Sequence, residues 1–142
     1  MALTLNGIAQ GWITDRMVDL MRAAGVTSSL VDMGEIRALG ENDGRAWQVA
    51  IAGTGTVVPL ADRAVATSSP DGFHFDAAGR FGHIIDPRTG TTPRRYARVT
   101  VTAPAAATAD ALSTGFMLLD PPSVRRALPP DVTADVQEAA HF

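Results

Sequence analysis

The sequence predicts an α+β fold in which packed helices accompany a largely antiparallel sheet. Three observations carry that expectation: a helical period near the N-terminus and again after Pro104, short runs of alternating apolar and polar residues between them, and turn residues at the junctions. The first helix is read over "NGIAQGWITDRMVDLMRAAGV", where Ile13, Met17, Leu20, Met21 and Ala24 form a stripe opposite Asp15, Asp19 and Arg22. Asn6 is its expected N-cap, and Gly25 the expected left-handed residue past its last turn. "SLVDMG" and "EIRALG" follow as strands, "ENDGR" as a turn, and "WQVAIAG" as a strand with Trp47, Val49 and Ile51 on one face. Further strands are expected at "RAVATSS", "GFHF", "FGHII" and "YARVTVTA", separated by "SPDG", "AAGR" and "DPRTG". A second, alanine-rich helix runs from Thr108 to Leu119 and is stopped by "DPP". "TADVQEAAHF" reads as a short last helix or a frayed end, which leaves residues 120–142 a weakly defined tail.

Composition sets limits on function. With 142 residues the chain is long enough for a core of its own and reads as a single domain over 1–142, without internal repeats or a low-complexity linker. A formal net charge of −3 and no basic run longer than "RR" leave no electrostatic footprint for nucleic acid. Every one of the 12 basic side chains is arginine, a coding-composition feature from which no function is read. The absence of cysteine excludes disulfides, thiolate metal sites and cysteine nucleophiles. "MALTLNG" has no basic segment followed by an apolar one, and the apolar runs are too short to cross a bilayer. Neither a signal peptide nor a membrane span is expected, and the compartment stays open.

Three places carry candidate chemistry. In "TADALSTGFMLL", Asp110, Ser113, Thr114 and Met117 fall on one side of the helix, while Leu112, Phe116 and Leu119 fall on the other. Asp110 and Thr114, one turn apart, form an all-oxygen pair suited to a hard cation such as Mg²⁺; an ordinary solvated helix face carrying the same residues is the alternative. "LNGIAQG" presents a glycine-flanked helix start where an anion can sit, or simply a start whose glycines allow tight packing. In "HIIDPRTG", Asp86 and Pro87 shape a turn, and His83 or Arg88 at its shoulders can meet phosphate or move a proton.

Taken in order, "LNGIAQGWITDR", "LVDMGEIRALG", "VATSS", "HIIDPRTG" and "TADALSTG" resemble successive motifs of the ApbE family, the FAD:protein FMN transferases. The resemblance runs from about Leu3 to Leu119 and corresponds to the C-terminal half of the family domain. It implies an α+β fold with mixed, largely antiparallel sheets. It also implies Mg²⁺-dependent transfer of FMN from FAD to a threonine or serine hydroxyl of an acceptor protein, with release of AMP. Asp110 and Thr114 match the Mg²⁺ ligands, Ser113 a further ligand in some members, and Gly7 a position that offers its backbone carbonyl. Thr4, Gln10, Ile84 and Ile85 match positions near FAD, and His83 matches the histidine implicated in transfer. At Thr4 and Gln10 the chain departs from the pattern D-x-x-G-x-x-K-G, with neutral polar groups in place of a carboxylate and a cation. An FAD pyrophosphatase and a non-catalytic flavin-binding module are the alternative readings. Family members often work outside the cytoplasmic membrane. Self-association, or pairing with a separately encoded N-terminal half, is expected of a half domain.

Overall fold

The structure, a computed structural model, describes residues 3–139. Its elements run α1 (Ala9–Ala23), β1 (Ser29–Asp32), β2 (Ile36–Leu39), β3 (Trp47–Ala50), β4 (Val57–Leu60), β5 (Ala64–Ser68), β6 (Tyr96–Ala103), α2 (Ala106–Phe116), α3 (Pro121–Ala127) and β7 (Thr133–Glu138). Five strands form one sheet in the order β1-β2-β5-β6-β7, and β3 and β4 form a separate hairpin. Every pairing between these named strands is antiparallel, so the parallel component of a mixed sheet is not seen among the described residues.

The alternation along β5 and β6 sorts the core into layers. Ala66, Val99, Val101 and Ala103 turn toward α2 and pack on Ala109, Phe116 and Met117. Val65 and Ala38 turn the other way, onto Val49 and Leu60 of the β3–β4 hairpin. Helices therefore cover one face of the sheet and the hairpin the other. Each fully buried aliphatic or aromatic side chain contributes roughly 1.5–3 kcal/mol to that arrangement.

Neither long helix caps its own start. The expected cap residue Asn6 donates its backbone N–H to Thr4 Oγ1 at 3.2 Å, and α1 begins later, with no side-chain cap at Ile8. The caps come from the other helix. Asp15 of α1 accepts the N–H groups of Ala106 and Ala107 at 2.8 and 2.9 Å, at the start of α2, and also pairs with Arg37 of β2. In return Asp110 Oδ2 of α2 accepts the Gly11 N–H of α1 at 2.9 Å. Each carboxylate thus meets the positive end of the opposite helix.

This crossing decides which face of α1 is buried. Gly11, Thr14 and Val18 point inward, whereas Ile13, Met17 and Leu20 of the expected apolar stripe are exposed. Only Met21 of that stripe packs against the Val18, Val31 and Leu39 cluster. The sequence pattern identified the apolar face correctly but not its environment. A Cβ on Gly11 would lie 2.4 Å from the Ala106 carbonyl oxygen, so close helix contact requires glycine there.

Elsewhere β1, β2, β3, β5 and β6 lie within the expected runs, and Gly25 has φ +88°. Asp43 and Gly44, both at positive φ, make the two-residue turn bridged by Asn42 and Arg45. Three expectations need correction. "GFHF" and "FGHII" are loop joined by a single bridge between His74 and Gly82. "DPP" does not merely stop a helix; Asp120 Oδ1 accepts the Ser123 N–H at 2.8 Å and Pro121 follows as the first residue of α3. Residues 120–139 are also no weakly defined tail, since 133–138 form β7, whose Ala134 and Val136 pack on the core beside β6. The remaining residues of the expected last helix, 140–142, lie outside the described residues. Strand β4, around Pro59, was not foreseen; the proline is tolerated because β4 belongs to a two-stranded ribbon.

Gly11→Ala is expected to lower the unfolding free energy by about 1–3 kcal/mol, although the same change on an open helix face would stabilise by up to about 1 kcal/mol. Urea denaturation checks this. A neutral or stabilising result would show that the two helices do not meet at this position.

Candidate functional site

The site forms where α2, the start of α1 and the end of β5 converge. Ser68 shares the helix-facing side of β5 with Ala66, and its Oγ lies 2.8 Å from Ser113 Oγ and 3.2 Å from Thr114 Oγ1. Ser113 also donates to the Asp110 carbonyl at 3.0 Å. Gly7 sits against the same helix: a Cβ there would be 3.0 Å from Thr114 Cγ2 and 3.4 Å from its hydroxyl. In a regular helix the Gly11 N–H would bond to the Gly7 carbonyl. Here it donates to Asp110 instead, which leaves the Gly7 carbonyl without that partner, in a residue packed against Thr114.

Asp110 and Ser113 are 5% and 1% exposed, so the polar side of α2 faces inward and is not the solvated face that an amphipathic helix would give them. Burial pushes the Asp110 carboxyl above the ordinary aspartate range, partly offset by the Gly11 N–H. The expected anion place at the α1 start is likewise filled from within the protein. Ile8 and Ala9 donate back to the Leu5 carbonyl, and Gly11 donates to Asp110.

A second carboxyl, not singled out in the sequence, faces this cluster. Glu35, in the turn between β1 and β2, has its pKa pushed up to about 8, first by burial, then by the charges of Asp110 and Asp32. Its Oε2 is buried without a hydrogen-bond partner. Among the described residues no three His, Cys, Asp or Glu side chains gather as a metal cage. A cation held here would instead meet the Asp110 carboxylate, the Thr114 hydroxyl and the Gly7 carbonyl. That all-oxygen set suits Mg²⁺, which commonly takes one or two carboxylates and completes its shell with water and substrate phosphate. Glu35 and Ser68 sit inside "LVDMGEIRALG" and "VATSS". The one sequence signal for Glu35 was a carboxylate beside Gly34, whose φ of +99° makes the turn.

The other candidates are distributed differently. Gln10 Nε2 donates to the Met33 carbonyl at 2.9 Å and ties α1 to the β1–β2 turn, while Thr4 is exposed and accepts from Asn6. Ile84 is a core residue and Ile85 is exposed. Arg88 is held by both oxygens of Asp86, at 3.0 and 2.7 Å, and by the Leu118 carbonyl at 2.9 Å. These contacts shape its turn, while the side chain stays largely exposed. That pairing holds the Asp86 carboxyl below the usual aspartate range. His83 is exposed, with Nδ1 3.4 Å from the Phe73 carbonyl. No hydrogen bond joins it to Asp110, Ser113 or Thr114. Beside it lie Phe73, Phe75 and Phe81, exposed aromatics the sequence did not flag, the first two in edge-to-face contact at 5.3 Å.

Comparison with known proteins shows the family. The ApbE family pattern matches residues 1–134. The chain belongs to the ApbE family. It is 36% identical over 127 residues to the FAD:protein FMN transferase of Haemophilus influenzae, a match spanning 81% of this chain and 37% of that protein. It is also 37% identical over 138 residues to the FAD:protein FMN transferase of Treponema pallidum, spanning 84% and 38%. Among solved structures, the ApbE protein from Thermotoga maritima superposes with a TM-score of 0.82 at 28% identity, over 96% of this chain and 48% of that one. The apo flavinyl transferase ApbE of Pseudomonas stutzeri gives 0.71 at 30% identity, over 95% and 49%. The chain thus spans well under half the length of these curated relatives and about half of the solved chains, and its fold is ApbE-like.

Glu35 gives the metal-free protein a pH dependence of definite sign. Its folded pKa of about 8 lies above its ordinary 4.5, so folding takes up a proton between those values. The stabilisation from this group is complete below pH 4.5 and is lost as the pH rises through about 8. With a chelator present, denaturation midpoints of the wild type should fall across that window, and Glu35→Gln should flatten the fall. Parallel curves for the two proteins would assign the dependence to another group.

Proposed function

We propose that this chain forms the metal-bearing half of an FAD:protein FMN transferase, which moves FMN from FAD to a threonine or serine hydroxyl of an acceptor protein and releases AMP. The observation that carries the reading is the inward-facing polar side of α2, with Asp110 and Ser113 buried, Thr114 half-buried and Gly7 packed against Thr114, in a chain whose relatives bear that name. Asp110, Thr114 and the Gly7 carbonyl are the groups that would hold Mg²⁺, with Ser113 keyed to Ser68 to set the rotation of α2. When bound, Mg²⁺ offsets the negative charge of the FAD pyrophosphate.

The chain's own residues then position the reactants. The acceptor oxygen forms its bond to the FMN phosphorus as the bond from that phosphorus to the AMP oxygen breaks. His83 takes the hydroxyl proton at Nε2, the ring nitrogen left open while Nδ1 faces the Phe73 carbonyl. Ile85 and the exposed Phe73 and Phe75 offer apolar surface to the flavin ring next to His83. Ile84, buried, has only its backbone to offer. Thr4 and Gln10, near the start of α1, are the neutral polar groups available to the nucleotide.

The test uses this chain completed by the part of the domain that it does not span, with FAD, Mg²⁺ and an acceptor protein, read by in-gel fluorescence of covalent flavin. Mg²⁺-dependent labelling with formation of AMP is expected. Release of free FMN without labelling would make the protein a pyrophosphatase, and FAD binding without any product would make it a binding module; either overturns the proposal. Asp110→Asn keeps an oxygen for the Gly11 N–H and should remain folded by circular dichroism, yet lose about 100-fold or more of the Mg²⁺-dependent rate. His83→Ala should slow transfer by about 10²–10⁴-fold while FAD affinity stays near wild type. An equal loss of affinity would make His83 a binding residue only.

A further inference from the structure

The strongest apolar stripe in the sequence ends up outside. Trp12, Ile13, Met17 and Leu20 lie along α1 and Ile8 just before it, with Trp12 58% and Leu20 62% exposed, while the opposite side of the helix is occupied by α2 and the sheet. Ile13, Met17 and Leu20 form the continuous part of this face, and Arg16, paired with Asp19 at 3.1 Å, stands between them and Trp12. Burying such a row contributes substantially, and a helix with one face on its own core and a second apolar face open to water is a helix built to lie between two layers.

We infer that this outer face of α1 is the docking surface for a second layer of polypeptide, the part of the ApbE domain that this chain does not span. Two facts select that occupant. The match reaches only 37% of the Haemophilus influenzae relative and 48% of the Thermotoga maritima chain, so more than half of each relative has no counterpart in these residues. Gly11 of the same helix faces α2, so a layer seated on Trp12 and Ile13 lies about one helix diameter from the Asp110 cluster. The inference rests on family membership and on exposure, and not on the flavin reaction.

The chain contains no cysteine, which makes single-cysteine footprinting direct. Met17→Cys and Leu20→Cys are introduced separately, with Glu41→Cys as an exposed reference. Each is made in this chain alone and in the Haemophilus influenzae relative with its matched region replaced by this chain and its own cysteines changed to serine. Maleimide should label positions 17 and 20 at least about tenfold more slowly in the completed protein than in the chain alone, relative to position 41. Equal rates would overturn the inference. Protection already present in the chain alone, rising with its concentration, would assign the face to a second copy and overturn it too. As an independent check, the chain carrying Ile13→Ser, Met17→Ser and Leu20→Ser together should unfold within about 5 °C of wild type, because none of the three is core in this chain. A larger fall would show that they are core, and the docking surface would be lost. None of these measurements involves flavin, so the transferase reading can fail while this one stands.

Discussion

The crossing of α1 and α2 is fixed by an exchange of carboxylates, and most of what matters in this protein depends on it. Asp15 serves the first two N–H groups of α2, and Asp110 serves the third residue of α1. Two helix dipoles that would each end in unsatisfied donors are thereby matched to anions across a buried interface. The exchange demands contact at Gly11, sets which face of α1 turns inward, and draws the Gly11 N–H away from the Gly7 carbonyl. Arg37 extends the arrangement to β2, so the helix pair is keyed to the sheet as well.

The same exchange explains why a carboxylate proposed to hold a cation is buried at all. Asp110 has two oxygens and gives one to Gly11. Burial raises the cost of charging Asp110, and burial followed by the nearby Asp110 and Asp32 charges raises that of Glu35, so both carboxyls are shifted upward. A buried pair of this kind is a poor structural choice taken alone, since apolar residues of similar volume would serve stability equally or better. Its retention at the meeting point of three elements, beside hydroxyls that are themselves hydrogen-bonded, is the arrangement expected where stability has been conceded to chemistry.

Local signals in the sequence were read well, and signals that depend on partners were not. Gly25, the Asn42–Arg45 turn, and strands β1, β2, β3, β5 and β6 follow from residue-level preferences that act over a few positions. The motif order pointed to the family, and Asp110, Ser113, Thr114 and Gly7 do converge. The inner face of α1 was misread because its defining residues, Gly11 and Thr14, are small or polar and score as nothing in an apolar pattern. The sequence reads β7 as a short helix or a frayed end because "TADVQEAA" has acceptable helix formers, whereas its strand character comes from pairing with β6. Glu35 was missed because its environment is assembled from α2, more than seventy positions away.

Caps supplied from a distance also have a consequence for the order of folding. Neither α1 nor α2 has a local device at its start, and the caps are donated across 91, 92 and 99 positions of chain. Nucleating such helices in isolation is unfavourable, and the compensating bonds form only after a loop of that length has closed. Two helices that would ordinarily appear early are thereby tied to long-range closure, which slows folding and makes it concerted. Asp110 reaches its buried position in that same event. An incompletely folded chain therefore has no preformed oxygen cluster, and binding of the proposed cation would report on the completion of the fold.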